Sequence, residues 1–146
     1  MRRPLLNPPS EFSSKEKAEI LLRAALSKKA FKPVLIRLVG LTSLTDYFLI
    51  VSARSAKHVK AVAEAVLIDA RQRKFPRYSA EGINQGNWAL LDYGDVVVHV
   101  FQNPIREFYD LEGLWSEAPR ETFSASMLAE IEAAQEPEED PEEDEI

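Results

Sequence analysis

The stretch Trp88-Ala89-Leu90-Leu91-Asp92-Tyr93-Gly94-Asp95-Val96-Val97-Val98-His99-Val100-Phe101 decides the fold. Two runs rich in apolar and β-branched residues flank a Tyr-Gly-Asp turn signal. The segment therefore reads as two strands, Trp88 to Asp92 and Val96 to Phe101, joined by a tight turn at Tyr93-Gly94 or Gly94-Asp95. Opposed residues of an antiparallel pair point to the same side of the sheet. Under either turn, Ala89, Leu91, Tyr93, Val96, Val98 and Val100 share one face, and Trp88, Leu90, Asp92, Val97, His99 and Phe101 share the other. The first is a plain core face. The second sets large aromatics beside a carboxylate and an imidazole, the composition of a protein–protein hot spot when it is exposed. The competing reading is a face covered by a helix, with His99 a satisfied, partly buried histidine.

Upstream of the hairpin, Ser13-Ser14-Lys15-Glu16 has capping-box spacing and predicts a helix to about Ala30, which Pro33 breaks. Val34 to Val39 reads as a strand and Gly40 to Asp46 as a Thr/Ser-rich loop. Tyr47 to Ala53 is a strand so uniformly apolar that both of its faces should be covered. Ser55 can cap a helix whose Val59, Val62, Ala63, Val66, Leu67 and Ala70 recur at helical spacing, while Lys57, Lys60, Arg71 and Arg73 face elsewhere. Arg77 to Glu81 is a short strand and Gly82 to Asn87 a loop with two glycines. Downstream, Asn103-Pro104 marks a helix start, with Asn as the cap and Pro at the first helical position. Met127, Leu128 and Ile131 mark a short amphipathic helix in a weakly patterned tail. The order α-β-β-α-β-β-β-α predicts an α/β fold, a mixed five-stranded sheet with flanking helices. The strand–helix–strand unit 47–81 should cross over right-handedly if its strands are parallel.

The chain has 146 residues, of which 45% are apolar, enough for one domain. The expected organisation is a disordered extension over 1–12, a domain over 13–118, and a weakly structured to disordered acidic tail over 119–146. Cysteine is absent, which excludes disulfides, zinc–thiolate sites and redox thiols and fits a reducing, cytoplasmic setting. No apolar run approaches the ~20 residues that span a bilayer. The first residues lack the apolar stretch of a secretory signal. Charge is strongly segregated. Residues 1–77 carry sixteen Lys/Arg against six Asp/Glu, residues 78–135 two Arg against ten acids, and residues 136–146 eight acids with no base. Such asymmetry points to oriented charged faces and charged partners, or else to plain solvated surface.

The chemistry-bearing residues form no nucleophile–base pair and no metal-ligand cluster, so no catalytic residue, metal or cofactor is assigned. Asp92 and Asp95 bracket the turn and could hold a metal, though turn aspartates more often bond their own backbone. Asp46, Asp92 and Asp95 are the only set that could support two-metal nucleotidyl transfer. Ser52-Ala53-Arg54-Ser55 lies where a strand meets a helix N-terminus, a natural anion site, but it has no glycine and no following lysine. His58 is expected to face solvent. The basic first half could alternatively serve an RNA-binding module with salt-sensitive affinity.

From about Ala18 to Ala118 the chain resembles the ribosomal silencing factor (RsfS, or Iojap) family. The matching pieces are Thr45-Asp46-Tyr47-Phe48-Leu49-Ile50-Val51, Ser55 with His58-Val59, Glu81-Gly82, and Trp88 with the run from Leu91 to Phe101. Arg106, Phe108 to Glu112 and Leu114-Trp115 complete them. Two positions depart from the pattern: Ala53 stands where glycine is common, and Gly113 where a basic residue is common. The resemblance implies a nucleotidyltransferase-like fold without that catalysis. It also implies binding to the large ribosomal subunit through its ribosomal protein fourteen, blocked subunit joining, and translational repression under starvation. A homodimer when free is consistent with it; neither a membrane nor DNA is an expected partner. Trp88, Asp92, Tyr93, His99, Phe101 and Tyr109 are then the expected partner-binding anchors. The acidic 78–135 segment suits a basic ribosomal protein.

Overall fold

The computed structural model describes residues 12–134. The extension before Phe12 and the acid-rich stretch from Glu136 onward lie outside the described residues. Helix α1 (Ser14–Leu26) starts on the expected capping box: the Ser13 side chain accepts from the Glu16 amide, and the Glu16 side chain accepts from the Ser13 amide. Strands β1 (Phe31–Arg37) and β2 (Tyr47–Ala53) follow, then helix α2 (Ala56–Gln72), capped by the Ser55 hydroxyl on the His58 amide. Next come β3 (Ser79–Glu81), β4 (Trp88–Asp92), β5 (Val96–Gln102), and the short helices α3 (Asn103–Tyr109) and α4 (Leu111–Leu114). A strand β6 (Arg120–Thr122) and a helix α5 (Ala125–Ala134) end the described chain.

The sheet is mixed and has six strands in the order β3-β4-β5-β2-β1-β6. The hairpin forms with the register its pattern demands, Trp88 opposite Phe101 and Asp92 opposite Val97. The Tyr93 amide donates to the Val96 carbonyl at 2.9 Å, so Gly94-Asp95 is the turn, and Gly94 supplies the positive φ of 89° that it requires. β5 pairs in parallel with β2, from Tyr47 opposite Val96 to Ala53 opposite Gln102. Both strands are therefore central and covered on two sides, which is why they read as continuous apolar runs.

Two cores result. Leu21, Leu22, Val59, Val62 and Val66 from α1 and α2 pack onto Leu49, Val51, Leu91, Val98 and Val100. On the opposite sheet face, Ile36, Leu38, Ile50, Phe101 and Ala118 form a smaller cluster against Ile105, Leu111 and Trp115. Leu128 and Ile131 of α5 pack against the first core, as the tail pattern anticipates.

Three expectations are corrected. The sheet has a sixth strand, β6, antiparallel to β1 with Leu35 opposite Glu121. Arg-Glu-Thr has no apolar pattern to announce a strand, and a short charged segment is what protects a sheet edge. Helix α1 ends at Leu26 instead of about Ala30, because Lys29 turns left-handed (φ 69°) and the Ala30 amide reaches back to the Ala25 carbonyl. Pro33 is not its terminator. It lies inside β1 at a bulge between Phe31 and Val34, where a residue lacking an N–H breaks no ladder bond. Asn103 is also not the cap of α3; Gln102 holds that position, and the Asn103 side chain instead accepts from the Ser52 hydroxyl at 2.8 Å.

Candidate functional site

The second sheet face carries a continuous aromatic stack. Phe101 is fully buried at its base. Trp88 lies over it with ring centroids 4.7 Å apart, and Tyr109 of α3 flanks Trp88 at 5.1 Å. Phe108 meets Tyr109 edge-on at 5.2 Å. The outer members of this stack are exposed: Phe108 is 80% exposed and Tyr109 52%, and Leu114 of α4 is 75% exposed. Asn87, Trp88, Pro104, Ile105, Phe108 and Tyr109 surround a shallow cavity of about 330 Å³. Exposed carboxylates of Glu107 and Asp110 stand beside these aromatics on the same short helices. Isolated exposed apolar residues need no explanation, but a patch of large aromatics around a cleft marks a binding surface.

Arg106 positions that surface. It is buried, and its guanidinium makes four hydrogen bonds. Nε and Nη2 donate to Glu112 at 3.0 and 2.6 Å, and Nη1 donates to the Lys32 carbonyl at 2.6 Å and to the Ser52 hydroxyl at 2.9 Å. Lys32 has a φ of 52° at the β1 bulge, and its carbonyl is the one Arg106 takes. One side chain thus ties α3 and α4 to two sheet strands.

The structure separates the six residues expected to anchor a partner. Trp88 and Tyr109 reach the surface together. Asp92 is half-buried and holds the hairpin turn, its Oδ1 accepting from the Gly94 amide at 2.9 Å. His99 and Phe101 lie on the expected face but are buried under Trp88, so they support the surface without being presented by it. Tyr93 belongs to the opposite, helix-covered face. Phe108 and Leu114, which composition alone did not single out, are the most exposed aromatic and aliphatic side chains there. A signal for them exists: six large apolar residues fall between Ile105 and Trp115, more than two helices of seven and four residues can turn inward.

His99 combines both readings of its face. The Trp88 indole N–H donates to its Nδ1 at 3.1 Å, so the neutral ring carries its proton on Nε2, which has no partner among the described residues. Burial lowers its pKa from 6.5 to about 3, against the opposing pull of Asp92. The unfolded chain therefore binds a proton here below pH ~6.5 that the folded chain refuses. Stability from this site is complete above that pH and falls as pH drops toward 3. Between pH 7 and pH 5 the loss should be about 2 kcal/mol. Urea unfolding of the wild type and of His99→Gln at both pH values checks this: the variant should lose that part of the pH dependence.

The remaining candidates are occupied structurally. The Ser14 hydroxyl lies 2.8 Å from Asp46 and 3.0 Å from Asp95, and Lys17 Nζ lies 2.7 Å from Asp95. A buried lysine thus neutralises one carboxylate of the Asp46, Asp92 and Asp95 set. No group of three or more His, Cys, Asp or Glu able to hold a metal occurs among the described residues. His58 does not simply face solvent. Its Nδ1 accepts from the Arg54 amide at 2.9 Å and its Nε2 lies 2.7 Å from the Lys28 carbonyl, tying the start of α2 to the end of α1. The Arg54 and His58 amides at this helix start are thereby engaged within the chain.

The family model described as "Ribosomal silencing factor during starvation" matches residues 11–146. The chain belongs to the ribosomal silencing factor family. The ribosomal silencing factor RsfS of Halalkalibacterium halodurans is 37% identical over 107 residues, 73% of this chain and 92% of the relative. A crystal structure of a protein from Chromobacterium violaceum superposes with a TM-score of 0.70 at 30% identity, covering 72% of this chain and 88% of the other. A mouse protein named "Mitochondrial assembly of ribosomal large subunit protein 1" is 33% identical over 75 residues, 49% of this chain and 33% of the relative. Of the two departures from the silencing-factor pattern, Ala53 is fully buried at the end of β2. Gly113 lies against the Asp110 carboxylate, which a larger residue there would have to displace. Asp110 adopts φ 47° and accepts from the Gly113 amide.

Proposed function

We propose that this ribosomal silencing factor represses translation by binding the large ribosomal subunit through its ribosomal protein fourteen and sterically blocking the small subunit. The observation that carries this reading is the aromatic surface formed by half-buried Trp88 and exposed Phe108 and Tyr109, with Glu107 and Asp110 beside it. Aromatic anchors supply affinity on a protein partner. Adjacent carboxylates favour a basic ribosomal protein and are repelled by the surrounding RNA. Asp92, His99 and Phe101 act from beneath, holding Trp88 and the hairpin in place. The mode of action is occupancy and involves no catalysis, in keeping with carboxylates already engaged by Ser14 and Lys17. The same reading has a homodimer in the cytoplasm when ribosomes are absent.

Sedimentation of separated ribosomal subunits with and without the protein tests it. The protein should travel with large subunits and reduce the fraction of joined ribosomes. Equal binding to both subunits, or undisturbed joining, would refute the reading.

A further inference from the structure

On the other side of the sheet a second cavity, of about 630 Å³, opens between the C-terminal half of α2, the segment after it and the hairpin turn. That volume is in the range of small-molecule sites. Three cations line it: Arg71, Lys74 and Arg77. All three are exposed, and among the described residues none forms an ion pair, whereas neighbouring Arg73 pairs with Asp69. The C-terminus of α2 offers about half a negative charge, too little to account for three cations. Leu67, Ile68 and Phe75 form an apolar wall, and Glu64 adds one carboxylate.

Tyr93 provides the second, independent observation. Its side chain also lines the cavity, it is 3% exposed, and its hydroxyl is buried without a hydrogen-bond partner among the described residues. Buried hydroxyls are normally satisfied, so an orphaned one at a binding cavity points to a missing acceptor. Burial pushes this phenol up to about 12, while Arg77 and Arg71 pull it down.

We propose that this cavity binds a nucleotide, its phosphates held by Arg71, Lys74, Arg77 and the Tyr93 hydroxyl and its base set against Leu67 and Ile68. Arginine forks and a phenol O–H are donors matched to phosphate oxygens. A bare anion would leave the apolar wall unused and meet Glu64 as a like charge. A base or ribose turns that carboxylate into an acceptor for an amino or hydroxyl group. The nucleotide can be free or part of an RNA chain, since both present the same chemistry. The site lies across the sheet from Trp88 and Phe108, so its occupancy can be tested apart from ribosome docking.

Isothermal titration of the full chain with ATP, inorganic triphosphate and a short single-stranded RNA is the test. ATP should bind, more tightly than triphosphate. Tyr93→Phe and the double variant Arg71→Gln/Arg77→Gln should each weaken it roughly tenfold or more. Phe108→Ala, on the aromatic surface, should not change it. Binding of the RNA but not of ATP, lost in the same variants, supports the site with RNA as the source. Thermal melting checks that Tyr93→Phe folds; the arginine variants, being exposed, decide the matter if it does not. The proposal is overturned if no probe binds at millimolar concentration, if triphosphate binds as tightly as ATP, or if the variants bind like wild type.

Discussion

Replacing Arg106 by methionine should destabilise the protein by about 3–5 kcal/mol, the usual cost of breaking a buried, hydrogen-bonded ion pair from one side. For a chain of this size that corresponds to a melting temperature lower by roughly 10 °C or more. The methionine fills much of the space but leaves the Glu112 carboxylate without its counter-charge and the Lys32 carbonyl without its donor. Arg106→Lys should recover only part of the loss, because an ammonium cannot reproduce the planar fork that reaches Glu112, Lys32 and Ser52 at once. Thermal melting of the three proteins measures the effect. A methionine variant that melts with the wild type would show that apolar packing of Ile105, Leu111 and Trp115 alone holds α3 and α4 on the sheet.

The second large effect is on binding. Phe108→Ala should weaken association with large ribosomal subunits about thirtyfold, or ~2 kcal/mol, while leaving thermal melting unchanged. The separation is possible because Phe108 is 80% exposed and packs only edge-on against Tyr109. Trp88→Ala is the contrasting variant. Trp88 stacks on buried Phe101 and donates to His99, so its loss should lower both affinity and melting temperature. Co-sedimentation titrations alongside melting curves distinguish the two. Wild-type affinity in Phe108→Ala would remove α3 from the docking surface and shift the search along the sheet face toward Phe48 and Trp115, whose rings are 6.2 Å apart.

The features legible in the residues alone are local. The Ser13–Glu16 capping box, the Ser55 cap and the Gly94 turn each close within four residues and form as read. The strand period of two sorted the hairpin into its two faces, and the register honours that division from Trp88 opposite Phe101 to Asp92 opposite Val97. Periodicity says which residues share a side; it does not say what covers that side. It takes the packing of distant segments to set α1 and α2 around Tyr93 with the large core, and α3 and α4 over Phe101 with Trp88 left at the rim. The same holds for β6, which exists because β1 offers it an edge, and for Arg106, whose partner Lys32 lies 74 residues away. Caps and turns are settled by hydrogen bonds between near neighbours, whereas exposure depends on where distant segments come to rest, and in this protein that separates the supporting His99 and Phe101 from the presented Phe108 and Tyr109.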